Sequence, residues 1–207
     1  MKEKIFAGVI GLCVADAIGV PVEFKSRESL MHNPVTTMLG HGTYDQPPGT
    51  WSDDTSMTLC LLDSLTNKLD YTHIMQKFLS WYEGAEYTSH GVVFDIGIAT
   101  SKALSRFAQG TPALNCGGTS EYDNGNGSIM RILPLAFYLR SRFGNTYTDN
   151  IEAFEIIHNV SSLTHAHKRS LIACGIYLSV AEYLLESQDL KSGIYAGMNK
   201  AKHFYGL

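Results

Sequence analysis

The chain has 207 residues, 44% of them hydrophobic and 17% charged, a balance that excludes a disordered polypeptide and suits one globular domain over residues 1–207. Sixteen basic against twenty acidic residues give a net charge of -4 without a Lys/Arg cluster, which argues against nucleic-acid binding by general electrostatics. A chain of this length buries roughly 70% of its unfolded surface, so folding needs neither disulfides nor a structural metal, and any metal calls for a functional reason.

The opening stretch MKEKIFAGVIGLCVADA joins early lysines to an apolar run. Glu3 spoils a signal-like basic start and Asp16 interrupts the run short of the ~20 residues that span a bilayer. Residues 2–18 are therefore expected to form a buried helix, with no membrane association. Asp16 sits in apolar sequence where an unpaired carboxylate would be costly, so it is expected to bond to backbone or cap groups. Glu23, just past Pro21, is placed to point from a loop into a cleft. Only residues 22–24 and 35–38 have strand character. Helical periodicity recurs at 53–66, 71–83, 92–108, 133–143, 149–163, 166–187 and 189–204, which makes the fold class all-α. The irregular stretches 39–52 and 110–128 separate these helices. Cys13, Cys60, Cys116 and Cys174 form no CxxC pair and read as reduced packing residues, which favours the cytoplasm.

Four groups could carry chemistry. In Ser52-Asp53-Asp54-Thr55 a hydroxyl and two acids open a helix, where they can cap it or offer clustered oxygens to a hard cation such as Mg²⁺. Asp95 opens the 92–108 pattern, either as a cap or as an acceptor for sugar hydroxyls. In Asp123-Asn124-Gly125-Asn126-Gly127-Ser128, alternating glycines let backbone N–H groups approach an anion, and the nearby Arg131 suits pyrophosphate. His165 and His167 flank a helix joint at a spacing that does not share a helix face, which argues against a zinc pair.

In order along the chain, GVIGLCVADAIGVPVEF, GTWSDDTSM, DIGIATSKAL, GNGSIMRILPLA and SLTHAHKRS resemble the ADP-ribosylglycohydrolase family, which includes the dinitrogenase reductase-activating glycohydrolase. The resemblance implies a compact all-α fold with a binuclear Mg²⁺ site, Mn²⁺ being an alternative, at the base of an ADP-ribose cleft. It implies Ser52, Asp53 and Asp54 as metal ligands, with Glu23, Asp53 and Asp54 as the catalytic acids. Asp95, Gly125, Asn126, Gly127, Ser128 and His165 would bind substrate.

The implied reaction is hydrolysis of the N-glycosidic bond of an ADP-ribosylated protein, with arginine as the acceptor, releasing ADP-ribose. The partner is then an ADP-ribosylated protein or ADP-ribose itself. The family's later GGDTDT-like segment is not found after residue 170, and Asp189 in QDLKSG lacks a neighbouring acid. The chain is accordingly expected to lack the usual C-terminal helices and part of the metal shell. The missing helices would expose apolar surface and favour homo-oligomers. A non-catalytic ADP-ribose-binding descendant is the alternative.

Overall fold

The structure, a computed structural model, describes residues 1–187 and 189–207. Gln188, in the QDLKSG segment, lies outside the described residues. Nine α-helices are present among the described residues: α1 (Lys2–Gly19), α2 (Arg27–His32), α3 (Asp53–Ser64), α4 (Tyr71–Gly84), α5 (Ile98–Ala108), α6 (Leu133–Phe143), α7 (Ile151–Ser162), α8 (Lys168–Glu186) and α9 (Leu190–Tyr205). Short 3-10 turns join several of them.

The helix ends follow from local chemistry. Asp70 accepts the His73 amide at 3.1 Å, Asn150 the Glu152 amide at 2.9 Å and Asp189 the Ser192 amide at 3.1 Å, so each starts its helix by capping. Pro134 sits in the first turn of α6, where its missing N–H costs nothing. Gly144 and Gly206 stop α6 and α9 with positive φ.

The core lies between α3, α4, α6, α7 and α8. Met57, Cys60 and Leu61 of α3 meet Ile74, Phe78 and Trp81 of α4 and Leu135 and Leu139 of α6, all buried. On the far side α9 lies along α8, admitted by two glycines. A Cβ at Gly197 would stand 2.4 Å from the Val180 Cα, and one at Gly193 would stand 2.5 Å from a Leu184 methyl. Buried Glu182 of α8 ties this edge together by accepting the Thr148 amide at 2.8 Å and the Lys200 ammonium at 2.9 Å.

Three expectations need correction. Residues 20–22 form a 3-10 turn and residues 35–38 are irregular, so neither strand exists, whereas the short helix α2 carried too few turns to show a period. The helix expected from residue 92 begins at Ile98 with Gly97 as its N-cap, because Asp95 holds φ 56° and breaks the run. Helix α1 is also not a buried helix. It packs one side on α3 and α6 and buries only Val9 and Ala17, leaving Phe6, Ile10 and Val14 exposed by 68%, 44% and 44%. Residues 2–22 contain an 18-residue window of mean hydropathy 2.1 and are long and apolar enough, by length and composition, to cross a membrane. All four cysteines are free, with three of them buried.

Candidate functional site

The start of α3 is organised by a residue from another helix. Asp16 of α1 accepts the Ser52 amide and the Thr55 amide, both at 3.0 Å, and the Ser52 hydroxyl at 2.7 Å. Its carboxylate satisfies donors that a helix start leaves free, which is the structural role expected for it. Ser52 also accepts the Asp54 amide at 3.3 Å. Ser52 and Asp16 thus do the capping together, and the carboxylates of Asp53 and Asp54 are left for other work.

Those two acids are crowded. Burial, then the neighbouring Asp54 and more distant Asp95, push the Asp53 carboxyl up to about 8. Burial and Asp16 raise Asp54 to about 6. Hard oxygen donors held together against their own repulsion fit a divalent cation in donor chemistry. Among the described residues no three His, Cys, Asp or Glu side chains form a metal-holding group.

Glu23 reaches the same region from the turn after α1. The loop at 40–46 fixes its backbone: the Thr43 hydroxyl donates to the Glu23 carbonyl at 2.7 Å, and Gly42, at φ 69°, lies so close to Pro21 that a Cβ would stand 2.0 Å from the Pro21 carbonyl oxygen. Its carboxyl shares a cleft with Asp95, and Tyr44 is a neighbour. Burial first, then Asp95, lifts Glu23 to about 7. The Tyr44 ring lies 5.2 Å from Phe94 and 6.5 Å from Phe24, centroid to centroid, so aromatic rings wall this corner. Phe24 and Asp95 both hold left-handed backbone, at φ 61° and 56°, a conformation that non-glycine residues adopt at a cost.

Opposite the acids runs the glycine segment. Gly125, Asn126 and Gly127 face His165, whose ring would stand 2.7 Å from a Cβ at Gly127 and 3.4 Å from one at Gly125. The Thr164 hydroxyl and His165 Nδ1 are 2.8 Å apart, which leaves Nε2 towards the glycines. Burial and the nearby Arg131 charge depress His165 to about 4, so the ring is neutral. One cleft of about 310 Å³ is lined by Glu23, Asp53, Asp54, Asp95, Gly125, Asn126, Gly127 and His165.

Two predicted residues lie elsewhere. Ser52 lines an adjoining cavity of about 420 Å³ with Asp16, Glu23 and Asp54, and Ser128 is buried against the Cys174 thiol at 3.5 Å. Arg131 does not face the cleft as the pyrophosphate reading required. It is fully buried, donates to the Gly127 carbonyl and, at 3.4 Å, to the Val160 carbonyl, and lies 4.7 Å over the Phe78 ring. It braces the loop from behind.

The cleft also contains residues that local motifs did not reveal. Thr100 is buried, its hydroxyl has no hydrogen-bond partner, and it lines the cleft beside Gly127. Tyr122 is 98% exposed at the mouth. An aromatic directly before the glycine segment was a usable signal for Tyr122, and Thr100 lies within the DIGIATSKAL stretch, but only the fold brings its hydroxyl beside Gly127.

The family model described as ADP-ribosylglycohydrolase matches residues 1–204. The chain is 32% identical over 189 residues to the ADP-ribosylarginine hydrolase Tri1 of Serratia proteamaculans, covering 90% of this chain and 49% of that protein. It is 28% identical over 197 residues to the ADP-ribosyl-dinitrogen reductase glycohydrolase of Rhodospirillum rubrum, covering 93% and 61%. A solved structure titled as an ADP-ribosylglycohydrolase-related protein complex superposes with a TM-score of 0.71 at 28% identity, covering 96% of this chain and 60% of that one. The chain spans about half the length of the Tri1 relative and about three-fifths of the other two. With the ordered motifs, the all-α fold and these matches in agreement, the chain belongs to the ADP-ribosylglycohydrolase family.

Proposed function

We propose that the protein hydrolyses the N-glycosidic bond of an ADP-ribosylated protein, with arginine as the acceptor, in a Mg²⁺-dependent reaction that releases ADP-ribose. The observation that carries this reading is the pairing, across one cleft, of Glu23, Asp53, Asp54 and Asp95 with Gly125–Gly127 and His165. The relatives' names supply the acceptor and the bond.

Each group has a role that follows from its chemistry. Ser52, Asp53 and Asp54 would hold the cation, with water filling the rest of its shell; bound there, it would orient ribose oxygens and offset negative charge. Glu23, raised to about 7, still carries a proton near neutrality and can pass it to the departing guanidine nitrogen as the C1′–N bond breaks. A water oxygen bonds to C1′, and its proton returns to a carboxylate of the cleft. Asp95, on the same cleft as Glu23, accepts from a ribose hydroxyl. The N–H groups of the glycine segment and the unpaired Thr100 hydroxyl are free for the diphosphate and ribose oxygens. The free thiols suit a reducing compartment, the cytoplasm.

Release of ADP-ribose from ADP-ribosyl-arginine protein, with and without Mg²⁺, is the test. Turnover lost in the Asp53→Ala/Asp54→Ala variant is the expected result, and turnover unchanged in it overturns the assignment. The second reading, an ADP-ribose-binding protein without activity, is favoured by the small number of convergent ligands among the described residues. Binding of ADP-ribose without turnover would select it.

A further inference from the structure

Two of the cleft's four acids are each joined in sequence to an aromatic residue, Glu23 to Phe24 and Asp95 to Phe94. Tyr44, from a third stretch of chain, stands between the two aromatics. Its ring lies 6.5 Å from Phe24 at an interplanar angle of 63° and 5.2 Å from Phe94 at 50°, so the three rings form one row beside the acids. Phe24, at the end of that row, lines the cleft together with Glu23 and Asp95, and it takes no part in the hydrophobic core. Its backbone is left-handed, at φ 61°. A large ring held in that conformation costs stability and returns little of it to the core, so its place is accounted for by what it does in the cleft.

The charge of the cleft narrows that use. Glu23, Asp53, Asp54 and Asp95 line it, and among the described residues no lysine or arginine does. His165, at the glycine end, is neutral. In an ADP-ribosyl-arginine substrate the cationic part is the guanidinium. That group is planar and weakly hydrated, so it stacks on an aromatic face while its edge N–H groups donate to a carboxyl oxygen. An acid followed directly by an aromatic offers both contacts from one loop. The diphosphate, which is anionic, belongs at the opposite end among the N–H groups of the glycine segment, and the cleft is polarised along its length.

We propose that Phe24 is the residue that selects the acceptor: its ring stacks on the guanidinium of the ADP-ribosylated arginine beside the Glu23 carboxyl, and Tyr44 and Phe94 support the ring from behind. This inference rests on the hydrolytic reading of the cleft given above. It divides the substrate into two parts, an ADP-ribose held without Phe24 and an acceptor held by it. A neutral acceptor such as serine brings no charge to the ring and gains nothing from it.

The test is calorimetric binding of ADP-ribose, ADP-ribosyl-arginine and ADP-ribosyl-serine to the 207-residue chain, with and without Mg²⁺. Where a conjugate turns over, kcat/KM from initial rates replaces its affinity. Phe24→Leu, which keeps apolar bulk and loses the π face, should lower the value for the arginine conjugate roughly tenfold. The values for ADP-ribose and for the serine conjugate should not change, which also reports an intact cleft, and Phe24→Tyr should behave as wild type. An unchanged value for the arginine conjugate in Phe24→Leu overturns the proposal. So does an equal loss for all three ligands, which would assign the ring to the ADP-ribose part. Wild-type protein that binds none of the three, with or without Mg²⁺, refutes the hydrolytic reading and this inference with it, whereas intact ADP-ribose binding with no selective effect at Phe24 removes the inference alone.

Discussion

Asp16 on α1 and Ser52 at the head of α3 are joined by two hydrogen bonds, one from the Ser52 amide at 3.0 Å and one from its hydroxyl at 2.7 Å. With the Thr55 amide this carboxylate accepts three donors, so removing it leaves a helix start without partners. Asp16→Ala should cost about 3 kcal/mol and Asp16→Asn, which keeps one acceptor oxygen, about 1 kcal/mol. Urea unfolding midpoints at unchanged slope would measure both.

Crowded carboxylates predict a stabilising cation. Asp53 has its folded pKa raised to about 8 from an ordinary 3.8, so the stability it contributes is complete below about 3.8 and is lost as pH rises towards 8. Mg²⁺ should therefore raise the melting temperature, more at about pH 8 than near pH 6. Asp53→Asn should stabilise the metal-free protein by on the order of 2 kcal/mol and abolish the increment from Mg²⁺. Thermal melts with and without Mg²⁺ decide it, and no shift at any pH would count against a cation at these residues.

His165 gives the opposite limb. Its folded pKa is depressed to about 4 from 6.5, so its contribution is present above 6.5 and is lost as pH falls through about 4. Up to about 3 kcal/mol should disappear across that window. In the His165→Gln protein, stability measured against pH should be flatter between those two values.

Gly127 has no room for a methyl group. A Cβ would stand 2.7 Å from His165 Cε1 and 2.9 Å from the Thr100 hydroxyl, so Gly127→Ala must displace the ring or the loop. We expect a loss of about 1–3 kcal/mol in stability and at least about tenfold weaker ADP-ribose binding by calorimetry.

Thr100 separates binding from folding. Its buried hydroxyl has no partner, so Thr100→Val should leave stability unchanged or raise it by up to about 1 kcal/mol. If the hydroxyl serves the ligand, the same variant should bind ADP-ribose about fivefold to tenfold more weakly. Equal affinity in wild type and variant would remove Thr100 from the binding surface.

The helices were legible in the sequence wherever a cap preceded an apolar period, as at Asp70 before α4 and Asn150 before α7. They were misread where backbone conformation overrides pattern, as at Asp95, whose positive φ no periodicity reveals. The acids and glycines of the cleft could be picked out because their motifs are local. Arg131 was misassigned because its sequence neighbours a glycine loop, while the fold turns it inward onto carbonyl oxygens and the Phe78 ring. The exposure of α1 was hidden for a related reason: an apolar run reports the wish to be covered and not what covers it.

The close fit of Gly42 against Pro21 gives the loop at 40–46 the character of a mould for the Glu23 turn. Any side chain at position 42 would push Pro21 outward, and with it the carbonyl of Glu23 that Thr43 holds from 20 residues downstream. The acid strength of Glu23 follows from its burial first and its place beside Asp95 second, so the absence of a methyl at residue 42, which lets the turn seat, bears on a carboxyl group it never touches.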